Sequence, residues 1–186
     1  MTNLITGETW GDEIDSVRAY LLEESRLPFE QLLPKFDTAR AELIGALDGV
    51  SEAQGQYRPG SGEGEEAWGI AEALRHVASI EVIMADRLRQ IGAGQSASVK
   101  ATYPGFMEDV TTRRLPELVE ELRQSRAALL AAIESIDGHE SLETVDTHRR
   151  FGELNCRGWL AMHTLHMRDH ARQIVRIKAQ DGYPGA

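Results

Sequence analysis

The chain has 186 residues, 41 % apolar and 27 % charged, and 30 acidic against 20 basic residues leave a formal charge of −10. That length and apolar content suit one domain with a core of its own and exclude a disordered or fibrous chain. A single cysteine, Cys156, excludes an intrachain disulfide framework and a four-cysteine zinc site, and the acidic balance argues against nucleic acid or anionic membrane as partner.

The opening MTNLITGETW has no basic start and no long apolar core, so no signal peptide is expected. The longest apolar run, Ala127 to Ile133, is too short to span a bilayer. A cytoplasmic protein is the expectation. Ile14, Val17 and Leu21 recur at three and four and predict a short N-terminal helix. Pro28 and Pro34 are expected to interrupt the chain after it. Phe36, Ala39, Leu43, Leu47 and Val50 mark the apolar stripe of a second helix that stops near Gly49.

The segment SEAQGQYRPGSGEGEE reads as loop. Its GSGEG has no preceding strand and no following lysine, and Glu63, Glu65 and Glu66 would repel phosphate, so it is not a phosphate-binding loop. From Ala67 to Ile91 the period is helical again, with Ile70, Leu74, Val77, Ile80, Met84 and Leu88 on one face. Gly94 to Pro104 reads as loop. Pro116 suits a first helical turn, and Leu115, Leu118, Leu122, Ser125, Leu129, Ala132 and Ile136 follow one stripe to Gly138. A loop with His139, His148, Arg149 and Arg150 comes next, and no segment shows strand alternation. The last helix is predicted from Asn155, a good N-cap, to about Ala179. Four long helices make an all-α four-helix bundle the expected fold, with 1–28 as an extension carrying the short helix and 29–182 as the bundle.

The last helix holds the chemistry. At 100° per residue, Trp159, Met162, His163, His166, His170, Ile174 and Ile177 share the inward side. Unpaired buried imidazoles are costly, so three of them together call for a shared explanation. His166 and His170, one turn apart, have the spacing that presents paired imidazoles to a metal, against the alternative of separate core histidines each hydrogen-bonded to a neighbouring helix. His76 on the earlier helix would complete a three-histidine site with open coordination positions, the layout of a catalytic metal centre. His163 is a rival ligand beside His166, but its seven-residue separation from His170 is about 10.5 Å of rise, too far to share one ion with it. His163 then becomes a supporting or substrate-facing group. Glu81 is expected to orient a ligand imidazole or to act as general acid or base, against the alternative of a pairing with a neighbouring arginine. Cys156, near a helix start, is either a thiol of lowered pKa or a buried structural one. Trp68 and Trp159 read as core.

Three blocks of sequence carry a resemblance. Asp37 and Arg40 lead to Tyr57-Arg58-Pro59. Trp68 is followed by a histidine at 76 and a glutamate at 81. His148 leads through Phe151-Gly152-Glu153-Leu154 to Trp159, then to His166, His170 and Gln173-Ile174. In this order and spacing the chain, from about Phe36 to Ile177, resembles the DinB/YfiT-like family of small four-helix metalloproteins. The resemblance implies an up-down-down-up bundle, a divalent metal on His76, His166 and His170, and a homodimer. The stretch before residue 28 and His163 have no counterpart in the family pattern, and the extra helix either caps the bundle or joins a dimer.

What the resemblance implies for function is a metal-dependent enzyme acting on a small-molecule substrate. The first expectation is an S-transferase using a low-molecular-weight thiol of the bacillithiol or mycothiol kind, with Glu81 or His163 managing protons. The alternatives are a metal-dependent hydrolase and a non-catalytic stress-response metal-binding or interaction module. Zinc is the default ion, and imidazole ligands suit nickel and iron as well.

Overall fold

The computed structural model of the chain describes residues 13–60, 64–98 and 113–185. Four long helices form its body: α2 (Phe29–Gly45), α4 (Ile70–Gly92), α5 (Leu115–Glu134) and α6 (Cys156–Lys178). The N-terminal helix α1 (Ile14–Glu24) and a one-turn α3 (Glu52–Gly55) are added to them. The only sheet among the described residues is an antiparallel hairpin, β1 (Asp146–His148) with β2 (Gly152–Leu154). No helix of the described residues is long and apolar enough to cross a membrane.

Side-chain contacts fix the directions of the helices. Arg157 at the start of α6 lies over Phe29 at the start of α2, and Lys178 near the end of α6 donates to the Ala46 carbonyl just past the end of α2. These two helices are parallel. Arg75 pairs with Glu121 at 2.9 Å, and Gly92 meets Ile136, so α4 and α5 are parallel too. Between the pairs the sense reverses: Arg87, late in α4, sits 4.1 Å over the ring of Trp159, early in α6. The result is an up-down-down-up bundle. Gly92 is needed at its crossing, because a Cβ there would stand 2.5 Å from Ile136 Cδ1.

The expected apolar stripes fill the core. Leu32, Phe36, Ala39 and Leu43 of α2 are buried against Leu74, Val77, Met84 and Leu88 of α4, Leu118, Leu122 and Leu129 of α5, and Leu160, Met167 and Ile174 of α6. Helix α1 buries Val17 and Leu21 against α6 and β2, and Lys35 of α2 reaches both oxygens of Glu24 at 2.6 Å. The extra helix therefore caps this chain's own bundle.

Several boundaries differ from the reading of the sequence. Pro34 does not interrupt the chain but sits inside α2, which starts at Phe29 with Pro28 as its N-cap. The carbonyl that loses its partner to Pro34 belongs to Glu30, an exposed residue that water can serve. Helix α2 ends at Gly45, and Gly49 with φ +74° closes the following turn. The segment read as loop after it contains α3, because Ser51 and Gln54 form a capping box, and a 3₁₀ turn at Gly64–Ala67. The expected loop at 94–104 is non-helical to residue 98, and its remainder lies outside the described residues. The hairpin was not expected, since three-residue strands are too short to show alternation. His148 supports its turn by accepting from the backbone N–H groups of Arg150 and Phe151.

Candidate metal centre

Helix α6 starts where its cap predicts: Asn155 accepts from the Gly158 N–H at 2.9 Å. That start fixes the rotation of the helix, and rotation puts His163, His166 and His170 inward. Helix α4 crosses it in the opposite sense and brings His76 from its second turn to the same point. The ring nitrogens of His76, His166 and His170 all lie within 4.8 Å of one another. His76 Nε2 is 2.9 Å from His166 Nε2, and His170 Nε2 is 3.0 Å from it. No fourth histidine, cysteine, aspartate or glutamate among the described residues joins this group.

The surroundings keep these imidazoles neutral. Burial, helped by the nearby His170 and His163, pushes His76 down to about 2. Burial likewise holds His166 well below the ordinary histidine value, and it lowers His170 although the hydrogen bond to Gln173 acts the other way. His170 Nδ1 donates to Gln173 Oε1 at 2.7 Å, and Gln173 Nε2 donates to the Glu65 carbonyl at 2.5 Å. The glutamine thus fixes the His170 proton on Nδ1 and leaves Nε2 as a lone pair. Trp68 forms a wall, stacked on His170 at 6.3 Å and tilted against His76 at 4.8 Å.

This arrangement fits a cation. His166 Nε2 faces two other Nε2 atoms, and one of them, on His170, is a bare acceptor. A single proton on His166 Nε2 cannot serve both contacts, so protons alone leave lone pairs facing each other. A divalent ion takes all three at once. Nitrogens sharing one ion can stand up to about 4.2 Å apart, twice a zinc–nitrogen bond of about 2.1 Å, and the two separations from His166 Nε2 are below that limit. The cluster could hold a divalent metal with coordination positions to spare.

The other residues singled out by the sequence sit elsewhere. Glu81 is fully buried and makes no direct hydrogen bond to any of the three imidazoles: it pairs with Arg40 Nη1 at 3.0 Å and accepts from Ser125 Oγ. Arg40 spans further, donating to the Leu122 carbonyl at 2.6 Å. The pairing with a neighbouring arginine is the alternative that the structure realises. His163 is also fully buried, between Phe36 and His166, with Nε2 3.9 Å from Glu81 Oε1. The Cys156 thiol is not activated, because burial pushes it up to about 11. Trp159 is core, whereas half-buried Trp68 lines the cluster.

Sequence reasoning missed Gln173, Trp68 and the Glu65 carbonyl as the surroundings of the site. Gln173 had a readable signal, since it stands three residues after His170 on the same helix face. The Glu65 carbonyl had none, because the turn that delivers it is distant in sequence.

The model of the DinB superfamily matches residues 35–174. Among solved structures, the crystal structure of TT2238, a four-helix bundle protein, is similar at a TM-score of 0.58 and 23 % identity, covering 78 % of this chain and 96 % of that one. That likeness speaks for the fold alone. Among curated proteins none matches the chain.

Proposed function

The chain belongs to the DinB superfamily, and from that premise we propose that it is a metal-dependent thiol S-transferase with His76, His166 and His170 as ligands of one divalent ion. The observation that carries the reading is the convergence of three neutral imidazoles with no fourth protein ligand among the described residues. The three neutral imidazoles would leave a divalent ion its full charge, and the chemistry it would supply is ionisation of a thiol at neutral pH. The protein's own contribution is placement. Gln173 holds the His170 proton on Nδ1. Trp68 shields His76 and His170 from water. His166 is half-buried while its two partners are buried, so a small molecule approaches on the His166 side. Complete burial of Glu81 and His163 favours a supporting role for both over proton exchange with a substrate.

With a chlorinated aromatic acceptor the sulfur forms a new carbon–sulfur bond, the carbon–chlorine bond breaks, chloride leaves and the thiol proton passes to solvent. The test starts with elemental analysis of protein purified without an affinity tag, beside His166→Ala and His170→Ala. About one divalent ion per chain, lost in both variants, is the expected result. Metal-loaded protein is then incubated with the acceptor and several low-molecular-weight thiols, and the conjugate is read by mass. Activated esters run in parallel. Hydrolysis without conjugation would replace the transferase with a hydrolase, and absence of metal uptake would leave a non-catalytic bundle.

A further inference from the structure

His163 lies fully buried one turn before His166, and neither of its ring nitrogens has a hydrogen-bond partner. Buried imidazole nitrogens are costly to leave so. His166 Nδ1 is likewise buried without a partner. The two rings are in contact, with centroids 5.6 Å apart and planes 30° from parallel. On its other side, His163 Nε2 stands 3.9 Å from Glu81 Oε1, about 1 Å beyond a normal N–H···O bond. Oε1 already accepts from Arg40, and a carboxylate oxygen has room for a second donor.

These unmet needs complement one another. If the Nε2 atoms of the cluster all face an ion, the proton of His166 must sit on Nδ1, where it is a buried donor in search of an acceptor. The adjacent imidazole has an acceptor to offer, and once it accepts there its own proton must sit on Nε2, the nitrogen that faces Glu81. Glu81 is itself held rigidly by Arg40 and Ser125.

We propose that His163 is a positioning residue for the metal centre, accepting the Nδ1–H of His166 on its own Nδ1 and donating Nε2–H to Glu81. The chain of contacts from His166 through His163 to Glu81 and Arg40 fixes the tautomer and tilt of His166, as Gln173 does for His170. This rests on the three-histidine metal site proposed above. The competing role is mere packing of His163 against Phe36, whose ring centroid is 5.8 Å away.

The test compares wild type with His163→Phe, which keeps an aromatic ring, somewhat larger than imidazole, and removes both nitrogens. Zinc affinity is measured by competition with a chromophoric chelator, and the metal-free Tm is measured alongside. The expected result is zinc binding about 10–100-fold looser in the variant, with a metal-free Tm equal to or above wild type. Equal affinity in the two proteins overturns the proposal. Wild type that takes up no zinc overturns the underlying metal-site reading and this one with it, and that failure is visible without any variant. Should the variant not fold, long-range ¹H–¹⁵N spectra of zinc-loaded wild type decide: His163 protonated on Nε2 is expected, and His163 protonated on Nδ1 overturns the proposal, since it could not then accept from His166.

Discussion

Gln173 accepts the Nδ1–H of His170 at 2.7 Å and hands its own amide N–H to the carbonyl of Glu65, tying a metal-facing imidazole to the 3₁₀ turn beside it. The relationship couples the geometry of the cluster to the conformation of the segment before α4. An ion on the histidines and an ordered turn at Gly64–Ala67 therefore support each other.

Replacing Gln173 by Leu should loosen zinc about 10–100-fold, the usual cost of removing an outer partner of a ligand histidine. Gln173→Glu should retain most of the affinity, since a carboxylate still accepts from His170 while losing only the donation to Glu65. Equilibrium dialysis against a zinc buffer measures both. Equal loss in the two variants would mean that the turn, and not the imidazole, carries the effect.

Zinc should stabilise the fold through mass action. At a free concentration one hundred times Kd the gain is about 2.7 kcal/mol, visible as a rise in Tm that a chelator reverses. His170→Ala should abolish the rise and leave the helical content of the metal-free protein intact. A zinc-dependent Tm that survives in this variant would place the ion elsewhere.

The buried ion pair of Arg40 with Glu81 predicts an asymmetry. Arg40→Ala leaves a carboxylate in a dry core and should cost about 3–5 kcal/mol. The double replacement Arg40→Met with Glu81→Leu removes both charges, and it should recover most of that loss in urea unfolding. If the double variant is as unstable as the single one, the pair is a net source of stability.

Acid should weaken the metal-free protein. Burial lowers His76 to about 2 and His148 to about 4, against an ordinary value of 6.5, and it lowers His166 and His170 as well. The unfolded chain then binds more protons below pH 6.5, so stability is full above that value and falls as pH drops through 6.5 toward 4 and lower. Urea midpoints at pH 8, 6 and 5 in the presence of chelator should decrease in that order. A flat profile would mean that the imidazoles are hydrated in the folded state.

The Cys156 thiol, buried and pushed up to about 11, should not react with a disulfide reagent at pH 8 in the folded protein. It should react at once in denaturant. Fast reaction under native conditions would require that the start of α6 opens.

Much of the architecture was readable from one dimension. The 3.6-residue periodicity of α4, α5 and α6 names the buried side of each helix, because a helix can hide only one stripe. Asn155 and Pro116 mark starts because capping and first-turn preferences are local chemistry. Pro34 misled for the same reason: its local cost is real, but an exposed Glu30 carbonyl and the buried Phe29, Leu32 and Phe36 outweigh it. The hairpin at 146–154 escaped because its strands are shorter than the pattern that identifies a strand.

For the site, the spacing of His163, His166 and His170 puts them on one side of α6, and the apolar Trp159, Met162, Ile174 and Ile177 on that same side turn it toward the core. The sequence also pointed to His76, whose place depends on α4 crossing α6 in the opposite sense. Which of these inward polar groups meet could not be read from the pattern along the chain. Glu81 and His76 are both buried on α4, but they point to different sides of it: Glu81 is drawn to Arg40 and Ser125 from α2 and α5, while His76 reaches His166. Spacing along a helix fixes direction. Partnership is fixed by what the neighbouring helices present at the same height, and that depends on their rotation and offset, which only the packed bundle determines.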